Sequence, residues 1–411
     1  MNPTERFLTH LLDCALRGRA PDGALAGQVD WPALFTLAQA HKVDAMLLDP
    51  ICLLPDTLRP PANVLAAWQE NAMLTVMGQV FIVEQLHALL GAFEAAGVKA
   101  VALKGVALKM LYPQPDLRTM SDADLLVAEA SFEAANSVMI SQGYALVERE
   151  PAVNVYQGPD GLRVELHSRL FDKTAYGFLS RLDEASLFPL SLAERVPVHG
   201  GEAWVFPPKE HALFMLCHMA KHMITTGFGL RQTLDFMLFA EANANLMDWP
   251  AFWQAAAGLG LAPFAAALLA LGVTYFSLPA GPWANGAPDA SPDAAQGLLE
   301  DLIDAGVFGN RTEERRRSAA VVYRAYDTDD ADTGRVRRAL FPSASSLKAP
   351  YLYARRHPAL LPVAWLHRLA RYGWELLTGK ARRKDAAAGM QIADARLILL
   401  KQLGLRDDQP S

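Results

Sequence analysis

Two carboxylates separated by one residue begin a short apolar segment of the chain. Asp122 and Asp124 flank Ala123 and are followed by a Leu-Leu-Val sequence, a pattern that predicts a strand entering a buried core. Because alternate side chains of a strand share one face, both carboxylates should point in the same direction. Two carboxylates this close repel each other, and a cation between them relieves the repulsion. The spacing therefore predicts a magnesium site, although the same pattern also occurs in surface turns.

A third carboxylate lies in a later segment that alternates between apolar and polar residues. Residues 162–167 have the sequence Leu-Arg-Val-Glu-Leu-His, which predicts a half-buried strand with Glu165 and His167 on the same face. If this strand lies beside that of Asp122, Glu165 completes a set of three acids. Such a set can hold two magnesium ions, one that activates an attacking oxygen and one that binds nucleotide phosphates. The competing interpretation of Glu165 is a solvated strand face.

Basic residues near the first strand are candidates for phosphate binding. Lys104 and Gly105 follow a short apolar segment, residues 98–103, that predicts a strand, and a helix of about two turns comes next. A lysine at a strand-to-helix turn is well placed for phosphates, although it could also be an exposed charge at the end of a strand. Arg118 is interpreted either as a phosphate or sugar contact or as the structural partner of Asp116 or Asp122.

A histidine-rich helix is predicted downstream, at residues 209–225. His218 and His222 are four residues apart on this helix, a spacing that can bind zinc. A zinc metalloprotease would need a glutamate directly after the first histidine, and Met219 is found there instead. These histidines are therefore expected to line a core or a nucleotide site, together with Lys221.

Taken together, these motifs resemble the uncharacterised nucleotidyltransferase family of the DNA polymerase β-like superfamily, over about residues 31–278. The resemblance implies transfer of a nucleoside monophosphate from an NTP to a hydroxyl acceptor, with release of pyrophosphate and with Mg²⁺, or possible Mn²⁺, as the cofactor. The acceptor is open: it could be a protein, a small molecule or RNA. The alternative is a catalytically inactive nucleotide-binding or protein-interaction module with the same fold.

The resemblance also implies roles for individual residues. Asp122, Asp124 and Glu165 are expected to be catalytic and to bind metal. Many superfamily members have Gly-Ser at the turn where this chain has Lys104-Gly105, so the lysine and the Gly105 amide would contact the phosphates. The full set expected to bind the nucleotide is Lys104, Gly105, Arg118, Ser121, His167, His218, Lys221 and His222. A family-like Arg-x-x-x-Asp helix is predicted next, at residues 230–242, in which the Arg231 and Asp235 side chains are expected to pair.

The order of predicted elements indicates an α+β fold, with a small mixed-sheet nucleotidyltransferase core between N-terminal and C-terminal helical regions. The 411 residues, 52% of them apolar, allow two or three domains with buried cores. Four segments are predicted. Residues 1–95 form a helical region, 96–206 the α/β core, 207–278 a helical domain that completes the cleft, and 279–411 a C-terminal extension.

Composition limits the cellular setting. The net charge of −6 argues against general nucleic-acid binding. Three widely spaced cysteines without a Cys-x-x-Cys pair indicate a reducing compartment, and the N-terminus lacks the pattern of a signal peptide, so a cytoplasmic location is expected. The uncharged segment between Asp248 and Asp289 contains glycines and prolines, which predicts two buried helices, at about residues 249–257 and 262–276, and no membrane span.

The C-terminal extension carries a basic tail at residues 348–384. It contains nine basic residues and one acidic residue, a net charge of +8, with aromatic residues interleaved. Such a tail could bind RNA, an acidic protein or a membrane surface. The competing interpretation is a solvated amphipathic helix that packs on the body of the protein.

Overall fold

The structure is a computed structural model that describes residues 1–171, 182–306, 312–326, 357–377 and 383–406, together with positions 341, 347, 351, 353 and 354. The chain forms two compact units, Met1–Arg311 with Ile398–Ser411, and Thr312–Leu397. The four-segment division predicted from the sequence stays a prediction.

Helices make up the N-terminal part of the first unit. They are α1 (Pro3–Arg17), α2 (Gly23–Ala26), α3 (Trp31–His41), α4 (Leu48–Cys52) and the long α5 (Ala62–Ala95). Helix α1 begins with a capping box, in which the Asn2 side chain accepts from the Glu5 amide and the Glu5 side chain accepts from the Asn2 amide. Helix α5 contributes Leu86, Leu89 and Phe93 to the core beneath the sheet.

A seven-stranded mixed sheet forms the centre of the first unit, which confirms the predicted α+β class. Its strands are β1 (Val101–Ala102), β2 (Asp122–Leu126), β3 (Ala145–Arg149), β4 (Val153–Gln157), β5 (Arg163–His167), β6 (Glu194–Val198) and β7 (Gly201–Val205). The strand order is β3-β4-β5-β2-β1-β7-β6. Strand β2 pairs with β5, and β1 with β7, in parallel, whereas the other neighbours are antiparallel. The strand predicted at residues 98–103 is shorter than expected, since only two of its residues pair in the ladder.

Short helices connect these strands, and longer ones follow them. The connecting helices are α6 (Val106–Lys109), α7 (Phe132–Ser141) and α8 (Glu184–Leu187). After the sheet come α9 (Pro208–Ile224), α10 (Leu230–Ala242), α11 (Trp249–Gly258), α12 (Ala262–Tyr275) and α13 (Pro292–Ala305). Helix α6 has one turn where the sequence predicted about two. Helices α9 to α12 match the predicted helices within one or two residues.

One face of the sheet is buried against helices. Leu125 of β2 and Val164 of β5 pack with Phe93 of α5 and Met139 of α7 in a single apolar cluster. Because side chains alternate along a strand, the intervening residues of β2 and β5 lie on the opposite face. That opposite face carries Asp122, Asp124, Glu165 and His167.

The uncharged segment predicted to form two helices does so, as α11 and α12. By length and composition alone, one described helix, α5, could cross a membrane. Of the apolar 18-residue window that passes this test, 22% is buried, and the C-terminal third of α5 packs in the sheet core.

The second unit contains α14 (Glu313–Tyr326), α15 (Leu361–Leu377) and the first part of α16 (Arg383–Gln402). Five of the nine basic residues counted in the tail lie outside the described residues: Lys348, Arg355, Arg356, Lys380 and Arg382. A role for the tail in binding RNA or an acidic protein stays a prediction.

A buried lysine fixes the loop that leads into β2. The Lys109 ammonium is fully buried and donates hydrogen bonds to the carbonyl oxygens of Pro115 (3.1 Å) and Arg118 (2.8 Å). Burial, together with the nearby Arg118 charge, lowers the pKa of Lys109 from 10.5 to about 7. The loop conformation therefore depends on a side chain whose charged form is costly in the folded state.

We expect Lys109 to make stability depend on pH. Between about pH 7 and 10.5 the unfolded chain holds a proton on this side chain that the folded chain has lost, so the free energy of unfolding rises with pH. In Lys109→Met this contribution disappears. Urea unfolding at several pH values should show the wild-type-minus-variant difference growing by up to about 1.4 kcal/mol per pH unit.

The matched control is Lys209→Met, at a partly exposed lysine on α9 that pairs with Glu210 at 3.0 Å. Comparison of the two variants separates the effect of the buried ammonium from that of losing a lysine side chain. A pH-independent difference between wild type and Lys109→Met would contradict the assignment of a buried titrating lysine.

Candidate active site

The register between β2 and β5 brings two predicted carboxylates together. Asp124 lies directly opposite Glu165, and Asp122 opposite Arg163, in the parallel ladder. Both carboxylates line a cavity of about 270 Å³. Nine predicted site residues line it: Lys104, Gly105, Arg118, Ser121, Asp122, Asp124, Glu165, His218 and His222. Of the other two, Lys221 is exposed to solvent on α9, and His167 lies beside Asp124.

Asp124 is the most buried carboxylate of the cavity, and each of its oxygens faces a basic group. Its side chain is 5% exposed, with Oδ2 3.0 Å from Lys104 Nζ and Oδ1 3.5 Å from His167 Nε2. Burial alone would raise the pKa of Asp124, but the Lys104 charge and the His167 contact outweigh it and hold the pKa well below its usual range. Asp124 is therefore ionised at every physiological pH.

Glu165 has the opposite tendency. Burial raises the pKa of Glu165, and the negative charge of Asp124 raises it further. Two carboxylates in this situation favour the binding of a cation, because the cation removes their mutual repulsion. Ligand atoms of Asp124, Glu165 and His167 all lie within 4.8 Å of one another.

Asp122 is not part of this close group. It lines the same cavity, and its Oδ1 accepts a hydrogen bond of 3.3 Å from the Ser121 hydroxyl. The structure thus gathers two of the three predicted acids, together with a histidine that the sequence placed among the nucleotide contacts. A metal-binding role for Asp122 stays a prediction.

Two neutral histidines of α9 face Lys104 across the cavity. Lys104 Nζ donates to His218 Nε2 at 3.0 Å. The Nε2 atom of His222 lies 3.3 Å from His218 Nε2. Burial lowers the pKa of His218, and the Lys104 charge lowers it further. The same two causes lower the pKa of His222 to about 3. Both rings are therefore uncharged at pH 7, and His218 can accept the lysine hydrogen bond.

Arg118 forms a buried ion pair that the sequence did not predict. Its guanidinium donates twice to Asp235, at 3.1 and 2.6 Å, and the Tyr112 hydroxyl donates to the same carboxylate at 2.8 Å. Arg118 is 4% exposed. The structure thus provides a partner other than Asp116 or Asp122, and a contact of Arg118 with the nucleotide stays a prediction.

The expected pairing of Arg231 with Asp235 is wrong. Arg231 instead donates to the carbonyl oxygen and the hydroxyl of Thr119, at 2.8 and 2.9 Å. The i,i+4 rule describes side chains on an exposed helix surface. Here Asp235 is buried and points into the body of the protein, where an arginine from another segment reaches it in bidentate geometry.

Packing explains the glycine at the turn after β1. Gly105 has a φ of +63°, and a Cβ at this position would overlap the side chain of Met120. Met120 is itself held by Gln79 of α5, which accepts from its amide at 2.7 Å and donates to its carbonyl at 3.0 Å. Because α6 is only one turn long, its N-terminus is a weak anion-binding site. The Lys104 side chain is therefore the stronger candidate for anion binding between β1 and α6.

The sequence patterns assign no role in the site to several residues of the cavity. Thr226, Arg231 and Gln232 line the cavity, and Gln79 supports it from α5. The sequence pattern predicts Arg231 only as a partner for Asp235. Gln79 lies in a regular helical pattern, and no sequence signal distinguishes it from its neighbours.

Comparison with known proteins gives two findings. A family model described as "Uncharacterised nucleotidyltransferase" matches residues 27–277. The solution structure of the antibiotic-resistance factor ANT(2'')-Ia is similar, with 11% sequence identity and a TM-score of 0.32, over 48% of this chain and 95% of that chain. No curated protein sequence matches.

The buried Arg118–Asp235 pair should be important for stability. Asp235→Asn leaves the Arg118 guanidinium buried without its counter-charge, which we expect to lower the free energy of unfolding by about 3–5 kcal/mol. Asp56→Asn is the control, since Asp56 pairs with Arg59 at 2.7 Å but its side chain is 88% exposed. That substitution should cost less than about 1 kcal/mol. Urea denaturation measures both, and equal effects would contradict the assigned role.

Proposed function

The chain belongs to the uncharacterised nucleotidyltransferase family, and from this premise we propose that it transfers a nucleoside monophosphate from an NTP to a hydroxyl acceptor. Pyrophosphate is the second product. The reaction depends on a divalent cation, Mg²⁺ or Mn²⁺. The acceptor is a protein side chain, a small molecule or an RNA end.

The convergence of Asp124 and Glu165 in a cavity that also contains Lys104 is the observation that supports this proposal. The two carboxylates come from neighbouring strands in fixed register, so their separation is set by the sheet. Carboxylate oxygens are preferred ligands of Mg²⁺ and Mn²⁺. The donor set thus fits a divalent cation: Asp124 is ionised, and Glu165 lies close enough for a cation to relieve the repulsion between them.

The proposed chemistry divides between the cation and the chain. A divalent cation held by Asp124 and Glu165 would neutralise charge that develops on the transferred phosphoryl group and on the leaving pyrophosphate. Lys104 and the Gly105 amide would contact the β and γ phosphates. Lys104 is already directed into the cavity by Asp124 and His218, so its charge is preorganised. Asp122, Ser121, His222 and Arg118 surround the remaining space.

A second candidate function is a nucleotide-binding or interaction module without turnover. One observation favours it: the Lys104 ammonium already neutralises Asp124, at 3.0 Å. If that ion pair persists when a nucleotide binds, Asp124 would have less capacity for a metal cation.

We also propose a cytoplasmic location. Cys14, Cys52 and Cys217 are all free thiols in the structure, which fits a reducing compartment.

We expect Glu165→Gln to abolish most of the transfer. The amide lacks the negative charge that binds a cation, so the rate at which the labelled nucleoside monophosphate is transferred should fall by about 100-fold or more, which corresponds to about 2.7 kcal/mol. The assay follows each NTP, labelled at the α-phosphate, in cell lysate, to identify which acceptor becomes labelled. Glu148→Gln, at a side chain on β3 that is 57% exposed, is the matched control and should retain activity.

The outcomes separate the two candidates. If Glu165→Gln transfers label at the wild-type rate, the proposed active site is wrong. If the wild-type protein binds an NTP tightly but releases no pyrophosphate with any nucleotide or acceptor, the binding module replaces the enzyme.

A further inference from the structure

We propose that helix α15 binds the surface of an anionic phospholipid bilayer. Its outward apolar side enters the boundary between headgroups and acyl chains, and the positive charge of the second unit lies against the lipid phosphates. The proposal concerns the second unit, Thr312–Leu397, by itself. It goes beyond the proposed nucleotidyl transfer and does not depend on it, and it requires no helix that spans the membrane.

One side of α15 is buried within its own unit. Ala364 is fully buried and belongs to an apolar cluster with Leu347 and Ala354. Leu361 and Tyr351 pack against the same cluster. This inner side therefore holds the helix on the second unit and uses the apolar residues that face inward.

A second apolar side of α15 faces outward. Val363 is 52%, Leu366 68% and Leu369 40% exposed. Because residues three or four apart are neighbours on a helix surface, these side chains form a continuous apolar strip. Ala370, four residues after Leu366, is also exposed and extends the strip. Contiguous exposed apolar surface of this kind marks a site that binds a protein or a membrane.

Aromatic side chains border this apolar strip. Trp365 and His367 precede and follow Leu366, so each is rotated by about 100° from it around the helix axis. Trp365 packs edge-on against Phe341, with ring centroids 5.1 Å apart, and Phe341 is itself exposed. Tyr351 packs edge-on against His367, at 5.2 Å. Trp and Tyr rings favour the headgroup level of a bilayer, because one end of each ring is apolar and the other is polar.

Positive charge is concentrated in the same unit. Residues 312–397 contain seventeen basic and nine acidic residues, a net charge of +8, whereas the rest of the chain carries −14. Ion pairs within the unit leave this net charge unchanged, because every acid of the unit is already counted. An anionic bilayer attracts a unit with this charge, and the attraction adds to the free energy gained by burying the apolar strip.

The aliphatic side chains of the strip distinguish a bilayer from a soluble polyanion. RNA contacts a basic surface through its phosphates and stacked bases, and an acidic polypeptide through its carboxylates. Such contacts leave Val363, Leu366 and Leu369 in water. An amphipathic helix on a bilayer buries its apolar side while its basic surroundings contact the phosphates. An anionic bilayer is therefore the partner that uses both features of the second unit.

The test uses the full-length protein in co-sedimentation with vesicles of phosphatidylcholine, with or without phosphatidylglycerol. The protein should bind the anionic vesicles at least about tenfold more tightly than the neutral ones, and added salt should weaken this binding. Leu366→Glu places a charge in the apolar strip and should weaken binding to anionic vesicles about tenfold or more. Because Leu366 is exposed and glutamate is a good helix former, this variant should fold.

Met77→Glu is the matched control. Met77 is 62% exposed on α5, beside the exposed Met73 and Phe81, but it lies in the acidic first unit. The substitution changes the net charge by the same amount and should leave vesicle binding unchanged. Circular dichroism verifies that each variant is folded. If Leu366→Glu does not fold, Val363→Gln, at another exposed position of the strip, replaces it in the same assay.

Four results would overturn the proposal. They are no binding to anionic vesicles, equal binding to neutral and anionic vesicles, wild-type binding by folded Leu366→Glu, and a loss of binding in Met77→Glu. Binding of RNA or poly-glutamate without binding of vesicles would assign the positive charge to a soluble polyanion and overturn it as well. So would a wild-type dimer that Leu366→Glu dissociates, because the strip would then be a contact between two copies. Nucleotidyl transfer is measured separately, so its absence would refute the proposed function and leave the membrane-binding helix intact.

Discussion

The parallel pairing of β2 with β5 in one fixed register is the constraint on which the candidate active site depends. Asp124 is opposite Glu165 because the alternate residues, Leu125 and Val164, are buried in the core on the other face of the sheet. A slip of one residue in β5 would move Glu165 and His167 into that core and bring Val164 and Leu166 to the cavity. The apolar core therefore sets the geometry of the polar site. The site residues do not have to hold the strands in register through contacts of their own.

Asp124 interacts electrostatically with every other charged or basic group of the close cluster: Lys104, His167 and Glu165. A carboxylate that is 95% buried can remain ionised only if its charge is compensated. Lys104 compensates one oxygen, and the other faces His167 and Glu165. The two candidate functions thus depend on different oxygens of Asp124. The ion pair of Oδ2 with Lys104 favours a binding module without turnover, whereas Oδ1, which faces His167 and Glu165, leaves room for a cation.

Local signals in the sequence were sufficient for much of the fold. Helices α9 to α12 and strands β2 and β5 lie within one or two residues of their predicted positions, because apolar periodicity, prolines and glycines mark them. The Asp124–Glu165 proximity was also predictable, once two half-buried strands were assumed to be neighbours.

Contacts between distant segments could not be predicted in the same way. Gln79 holds Met120 from 41 residues away, and Arg118 reaches Asp235 across 117 residues. The i,i+4 rule led to the wrong partner for Asp235, because it assumes an exposed helix face and cannot detect a buried competitor. The position of Asp122 outside the close ligand group likewise depends on the conformation of the loop before β2, which Gln79 and Lys109 hold from other segments of the chain.

The uncharged state of His218 is a further consequence of tertiary structure. A protonated His218 would repel the Lys104 ammonium, which lies 3.0 Å away, and push it towards the carboxylates. Burial keeps the ring neutral, so Lys104 remains shared between His218 and Asp124 and is free to follow a phosphate that enters the cavity.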